Sequence, residues 1–286
     1  MRCPKEIYTY KDNFLERKEL IMSDTELNAT VQKGLDFLDH GDTKKAISIF
    51  EEHVGKNKHI PDSWFYLGDA LAEDGRLDEA ITKYREGLKL SPEDADALTT
   101  LGDMLLEAGN HKESLICYKK VLEIDPDDAD ALVSIGLVHN SQDRSEEAIV
   151  AFRQALDLEP ENIFALNALG DALYGQGDVD GAIASFTKSV ENDPEDPAAH
   201  FNLGELYYDL EELEEAEDAC LEAVRLDPAF SMAYLTLGGL CMDQDRTTDA
   251  ILHFENYLKY EKSAQAADMI TEVKAVIEGL KEELKG

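Results

Sequence analysis

The stretch WFYLGDALAEDGRLDEAITKYREGLKLSP, from Trp64 to Pro92, sets a glycine, a small residue, a ring and a proline in an order that recurs along nearly the whole chain. Its glycine, Gly68, belongs to a series at 34-residue intervals: Gly34, Gly68, Gly102, Gly136, Gly170, Gly204 and Gly238. Self-similarity at a fixed period of this size is the mark of a stacked repeat array. Twelve residues after each glycine stands a small side chain, Ala46, Ala80, Ser114, Ala148, Ala182, Ala216 and Ala250, so two helices are expected to approach closely. Four further on come Phe50, Tyr84, Tyr118, Phe152, Phe186, Cys220 and Phe254, a ring in every copy but one, expected to fill the space between adjoining repeats. Proline follows at Pro92, Pro126, Pro160, Pro194 and Pro228. There its fixed φ suits the first turn of the next helix and its missing N–H costs nothing. Asp125, Asp193 and Asp227, and once Ser91, read as N-caps before those prolines. Each unit is thus a predicted helix-turn-helix.

This order at this period resembles the tetratricopeptide repeat (TPR) family, whose signature the Trp64 to Pro92 stretch carries closely. The resemblance implies an all-α fold, a right-handed superhelical solenoid of seven repeats: 27–60, 61–94, 95–128, 129–162, 163–196, 197–230 and 231–264. Repeat one departs furthest from the pattern, with Lys33 in place of a leucine and Lys58 in place of proline. Residues 1–26 form an N-terminal extension and 265–286 a capping helix, in which Met269, Ile270, Val273, Val276, Ile277, Leu280 and Leu284 fall at helical spacing. A solenoid needs such a cap to cover the apolar face of its last repeat.

Length alone suggests two domains, but no linker or low-complexity tract interrupts the phase, and a single array is expected. The formal charge of −35 disfavours nucleic-acid phosphates and anionic lipid and favours basic partners. No apolar run approaches a membrane span and no signal-peptide core opens the sequence, so a cytoplasmic location is expected. Cys3, Cys117, Cys220 and Cys241 lack CxxC spacing and read as buried thiols.

Catalytic and cofactor motifs are lacking. PEDADAL at Pro92 and PDDADAL at Pro126 cluster carboxylates, yet they recur at repeat junctions, lack an EF-hand's glycine and distal glutamate, and serve as acids in a first helical turn. The histidines form no HExxH, and His139 falls at a packing position. No phosphate loop or nucleophile elbow is present. A non-enzyme without metal or cofactor is therefore expected.

By resemblance, the first helix of each repeat lines a concave groove, with positions 2, 5, 6, 9, 12 and 13 of the unit pointing inward. Position 9 reads Leu35, Asp69, Asp103, Leu137, Asp171, Glu205 and Gly239. Around the acids of repeats five and six stand Phe164, Asn167, Tyr174, Phe201, Asn202, Tyr208 and Asp209. Amides can bond a peptide's N–H and C=O together, rings supply anchors, and acids select Lys or Arg. The competing reading is a solvated helix face. Relatives that clamp an acidic C-terminus do so with cations at positions 2, 5 and 6, whereas positions 2 and 5 here offer none, so such a ligand should be repelled.

The expected function is a non-catalytic protein-interaction scaffold or assembly adaptor for a basic or aromatic peptide segment. The alternatives are a self-assembling structural protein and a non-catalytic subunit of an enzyme complex. The first 22 residues sum to +1, leaving −36 for the rest, and Ile7, Tyr10, Phe14 and Ile21 can share a helix face. The tail has the character of a ligand for an acidic groove, its own or a neighbour's, so self-association through it is one expectation; the others are a frayed terminus and an upstream extension to a protein that naturally starts at Met22.

Overall fold

The computed structural model describes residues 27–263 and 266–285. The extension over residues 1–26, with Cys3 and the apolar residues of the tail, lies outside the described residues. Among those described the structure is α-helical with no strand, and the helices come in consecutive pairs. The described residues through Leu158 form one compact unit and those from Glu159 a second. The first unit pairs α1 (Leu27–Asp39) with α2 (Thr43–Lys56), α3 (Pro61–Glu73) with α4 (Leu77–Leu90), α5 (Ala95–Glu107) with α6 (His111–Ile124), and α7 (Ala129–Asn140) with α8 (Ser145–Leu158). The second pairs α9 (Ile163–Gln176) with α10 (Val179–Asn192), α11 (Pro197–Asp209) with α12 (Leu213–Leu226), and α13 (Ser231–Asp243) with α14 (Thr247–Tyr260), and closes with α15 (Ala267–Glu283).

Within each unit a second helix packs on its own first helix and on the first helix of the next pair. First helices also touch one another, α1 with α3 and α5 with α7 in the first unit and α11 with α13 in the second, and these contacts define what we call the inner row of each unit. The glycine period explains the pairing. A Cβ on Gly136 would stand 2.4 Å from the Phe152 ring, and one on Gly170 2.6 Å from Phe186. Each ring therefore lies on the glycine of its own repeat, and rings also reach the adjoining one as expected: Phe50 stacks on Tyr66 of repeat two with centroids 5.7 Å apart, and Tyr118 shares a cluster with Ile135 and Val138 of repeat four. In repeat six the Cys220 Sγ takes the ring's place, 2.5 Å from where a Gly204 Cβ would be. A second exchange of size joins Phe65 to Gly87, where a Cβ would meet the ring at 2.3 Å.

The turn between paired helices places one residue in the left-handed region in every repeat. Gly41, Gly75, Gly109 and Gly177 do this at no steric cost, whereas Asp143, Glu211 and Asp245 hold φ of 57°, 62° and 58° with a side chain attached. The Arg76 N–H then bonds the Leu71 carbonyl at 2.8 Å, the closure of a helix C-terminus through a left-handed residue.

The prolines at Pro92, Pro126, Pro160, Pro194 and Pro228 precede the helix instead of lying in its first turn. The N-caps are Asp94, Asp128, Asn162 and Asp196, whose side chains accept from the N–H groups of Ala97, Ala131, Ala165 and, for Asp196, Ala198 and Ala199. Asp125, Asp193 and Asp227, expected as caps, instead accept from the N–H two residues on, at Asp127, Glu195 and Ala229, and brace the connection around each proline. The carboxylates of PEDADAL and PDDADAL are thus cap and first-turn groups.

Repeat one departs from the pattern for a physical reason. Leu67, Leu101, Leu169 and Leu237 are buried at the position where α1 has Lys33. No pair among the described residues precedes α1, and Lys33 and Asp36 stand exposed on it. At the other end α15 buries Val273, Ile277 and Leu280 in a cluster with Phe254 and Tyr257, while Leu284, expected on the same face, lies past the helix end and is exposed. Cys117, Cys220 and Cys241 are free, buried thiols. Burial pushes Cys117 up to about 11 and raises the other two.

Candidate partner-binding face

The acids at position 9 divide into two groups. In repeats two and three the ring is a tyrosine, and its hydroxyl turns back onto the first helix. Tyr84 donates to the Asp69 carboxylate, and Tyr118 donates to Asp103 at 2.6 Å. Burial and then the Asp103 charge push the Tyr118 hydroxyl upward, so it stays a protonated donor. Where the ring is Phe50, Phe152 or Phe254, position 9 is Leu35, Leu137 or Gly239. A buried phenol needs an acceptor and a phenyl does not, which accounts for the match. Asp69, only 2 % exposed, is accordingly a core acceptor and not the open groove acid that the sequence led us to expect.

Repeats five to seven use their acids differently. Phe186 has no hydroxyl to give, and Asp171 and Glu205 lie half-buried on the inner row. Thr236 Oγ1, one repeat on, donates to Glu205 Oε1 at 2.6 Å. The Tyr174 hydroxyl donates to Asp209 Oδ2 at 2.8 Å, and the Tyr208 hydroxyl to Asp243 Oδ2 at 2.7 Å. Gly239 makes room for the second contact, since a Cβ there would stand 3.0 Å from the Tyr208 oxygen. Asp243 was not among the residues expected from sequence; the signal was present, because Tyr208 and Asp243 repeat the spacing of Tyr174 and Asp209. These bonds fix the direction of each carboxylate. An ionised carboxylate has about four lone-pair sites, so one donated hydroxyl leaves capacity for an incoming cation.

The remaining expected residues separate by position. Phe164 is 49 % exposed, and Asn202 is half-buried on the inner row of α11. Phe201, at position 5, packs with Ala216, Cys220 and Ala223 of the second helix, and Asn167 holds the same position one repeat earlier. Phe201 is 2 % exposed and packs on Phe230 with ring centroids 5.2 Å apart, so it belongs to the core and not to an open face. Asn167 has a buried Oδ1 without a hydrogen bond, as has the hydroxyl of Ser189 on α10. Positions 2, 6, 9, 12 and 13 carry no Lys, Arg or His in any repeat; in the second unit Lys188, Arg225 and Lys259 all stand on the second helices. Among the described residues no three His, Cys, Asp or Glu side chains are placed to hold a metal ion, and no helix is long and apolar enough to cross a membrane.

Paired helices, a glycine under each ring and a 34-residue register match one family in sequence as well. Tetratricopeptide repeat profiles match residues 31–95 and 167–230, residues 71–134, and residues 138–177, together more than half of the chain. The chain belongs to the tetratricopeptide repeat family. No curated protein matches it in sequence. Among solved structures, a TPR protein from Parabacteroides merdae ATCC 43184 superposes with a TM-score of 0.71 at 18 % identity, covering 89 % of this chain and 99 % of the other. The Cut9–Hcn1 hetero-tetramer of the APC/C gives 0.64 at 16 % identity over 93 % of this chain and 52 % of that one. MamA from Desulfovibrio magneticus RS-1 gives 0.54 at 27 % identity over 60 % of this chain and 97 % of its own. The TPR fold is that of a protein-interaction scaffold.

Proposed function

We propose that this TPR chain is a non-catalytic cytoplasmic adaptor that docks a basic protein segment, with an aromatic or aliphatic anchor, on the inner face of repeats five to seven. The observation that carries the reading is the pairing of Tyr174 with Asp209 and of Tyr208 with Asp243 on helix faces that offer no cation. Carboxylates held in place by hydroxyl donors lose little freedom when a lysine or arginine arrives, and the surplus of acid speeds its approach. Exposed Phe164 adds an apolar contact on α9. Basic peptides bearing one tyrosine, titrated into the full chain, test this. Binding that weakens as salt rises and again in Asp209→Asn/Asp243→Asn supports the proposal; equal binding of an acidic control peptide refutes it.

A further inference from the structure

The outward sides of α6 and α8 carry a second surface of different chemistry. On α6, Lys112, Ile116, Lys119 and Lys120 share one helical face and are all exposed, Ile116 at 55 %. One repeat on, Val150 of α8 is 56 % exposed. The equivalent residues elsewhere in the first unit are Ser48 and Thr82, so at this repeat position a branched aliphatic side chain is particular to repeats three and four of that unit. Beside Val150 opens a cleft of about 380 Å³ lined by Ile135, Ala151 and His139, with Glu146, Glu147 and Gln154 at its rim. Burial, then the Arg144 charge, disfavours a charge on His139.

This surface, unlike the inner row, carries cations as well as carboxylates. Arg85 is paired with Glu113 and Arg144 with Glu147, each at 2.5 Å. Lys112, Lys119 and Lys120 are in no ion pair among the described residues, although the chain has 62 acids against 27 lysines and arginines. Glu123, Glu146 and Asp157 are exposed carboxylates on the same side that are in no ion pair among the described residues. Apolar side chains left in water are stabilised when covered, and unpaired lysines favour a cover that brings carboxylates. We propose that the outward face of repeats three and four docks a second protein segment, one whose large apolar residues seat on Ile116, Val150 and the cleft and whose flanking Asp or Glu meet Lys112, Lys119 and Lys120. Nucleic acid fits worse, since a net charge of −35 repels a polyanion and two aliphatic side chains read no base.

Selection from a random peptide display library on the full chain tests this independently of the inner face. The enriched pool is passed over Ile116→Glu/Val150→Glu and over Lys119→Glu/Lys120→Glu, whose circular dichroism should match the parent because all four side chains are exposed. A fraction of the pool should fail on both variants, and its consensus should combine large apolar residues with Asp or Glu. A synthetic peptide of that consensus should bind the parent at least about tenfold more tightly than either variant, while Asp209→Asn/Asp243→Asn leaves its affinity unchanged. If no fraction is lost, or the lost peptides are basic or uncharged, the proposal is wrong. If instead Ile116→Glu/Val150→Glu converts an oligomer to a monomer in sedimentation and loses no peptide, the occupant is a second copy, and the partner proposal is again overturned.

Discussion

Repeats two and three place aspartates at the same repeat position as the acids of repeats five and six, and the two pairs do different work. Asp69 and Asp103 accept from tyrosines fifteen residues on, inside their own helix pair. In repeats five and six that internal donor is missing, because the ring is Phe186 in one and Cys220 in the other. There the hydroxyls that meet carboxylates come from neighbouring repeats, as in Thr236 to Glu205 and Tyr174 to Asp209. One oxygen atom on the second helix thus engages an inward acid within its own helix pair, and where it is lacking the acid is left to other partners. Phenylalanines divide as well, since Phe201 is in the core and Phe164 is half in water.

The contrast between these two rings should give the largest effect. Phe201→Ala removes a buried ring that packs on Phe230, and substitutions of this kind cost about 3–5 kcal/mol. Phe164→Ala should change stability by no more than about 0.5 kcal/mol, as exposed substitutions do, and act on binding instead. Urea denaturation of both variants checks this. A Phe201→Ala protein as stable as the parent, with only its partner affinity reduced, would return that ring to the docking face.

Next in size is the pair Tyr84→Phe and Tyr208→Phe. The first removes the hydroxyl that serves a carboxylate only 2 % exposed, and leaving a buried polar group short of a bond costs about 1–3 kcal/mol. The second removes a bond to Asp243, which stands in solvent, so stability should fall by less than about 0.5 kcal/mol. Thermal melts that rank the two in the opposite order would erase the distinction between core acid and surface acid.

Much of this was legible in the sequence. The glycine and ring series predicted the helix pairs because every copy must solve the same close approach, at Gly136 and Phe152 as at Gly170 and Phe186. The partition of the acids was legible only in retrospect. Tyrosine at 84 and 118 goes with aspartate at 69 and 103, while phenylalanine at 50 and 152 goes with leucine at 35 and 137. Position 5 was misread for a comparable reason. Phe65 faces Gly87 and Phe201 shares a buried cluster with Ala223, so a large residue on one helix meets a small one on the other. The bond from Tyr174 to Asp209 was out of reach, because its spacing depends on how one repeat is set against the next.

A smaller effect, on affinity alone, should separate the two groups of acids in solution. Asp209→Asn/Asp243→Asn should weaken a basic, tyrosine-bearing peptide about tenfold, or about 1.4 kcal/mol, and reduce its salt dependence, since exposed charges are screened over about 8 Å at physiological ionic strength. Asp103→Asn, whose carboxylate is engaged by Tyr118, should leave that affinity within a factor of about two. Isothermal titration at two salt concentrations reads both, and a larger loss from Asp103→Asn than from the double variant would move the site to the other unit.

The smallest expected effect concerns the first 21 residues, outside the described part of the chain. Stability in a repeat array comes from each repeat and its nearest neighbours, so a preceding segment matters only if α1 offers it an apolar face. It does not: where the other first helices bury a leucine or isoleucine, α1 exposes Lys33, and the exposed Gln32 side chain donates to Asp36 at 2.9 Å. A chain beginning at Met22 should therefore melt within about 1 °C of the full chain, since 1 kcal/mol moves a protein of this size by roughly 2–4 °C. Because the removed segment is near neutral in an otherwise acidic chain, the informative second readout is affinity for the basic peptide. A weak intramolecular ligand acts at an effective concentration of order millimolar, so if the segment competes for the inner face of repeats five to seven, its removal raises that affinity. A melting point lowered by several degrees would show that the segment covers α1 after all, and Lys33 would then be the residue to explain.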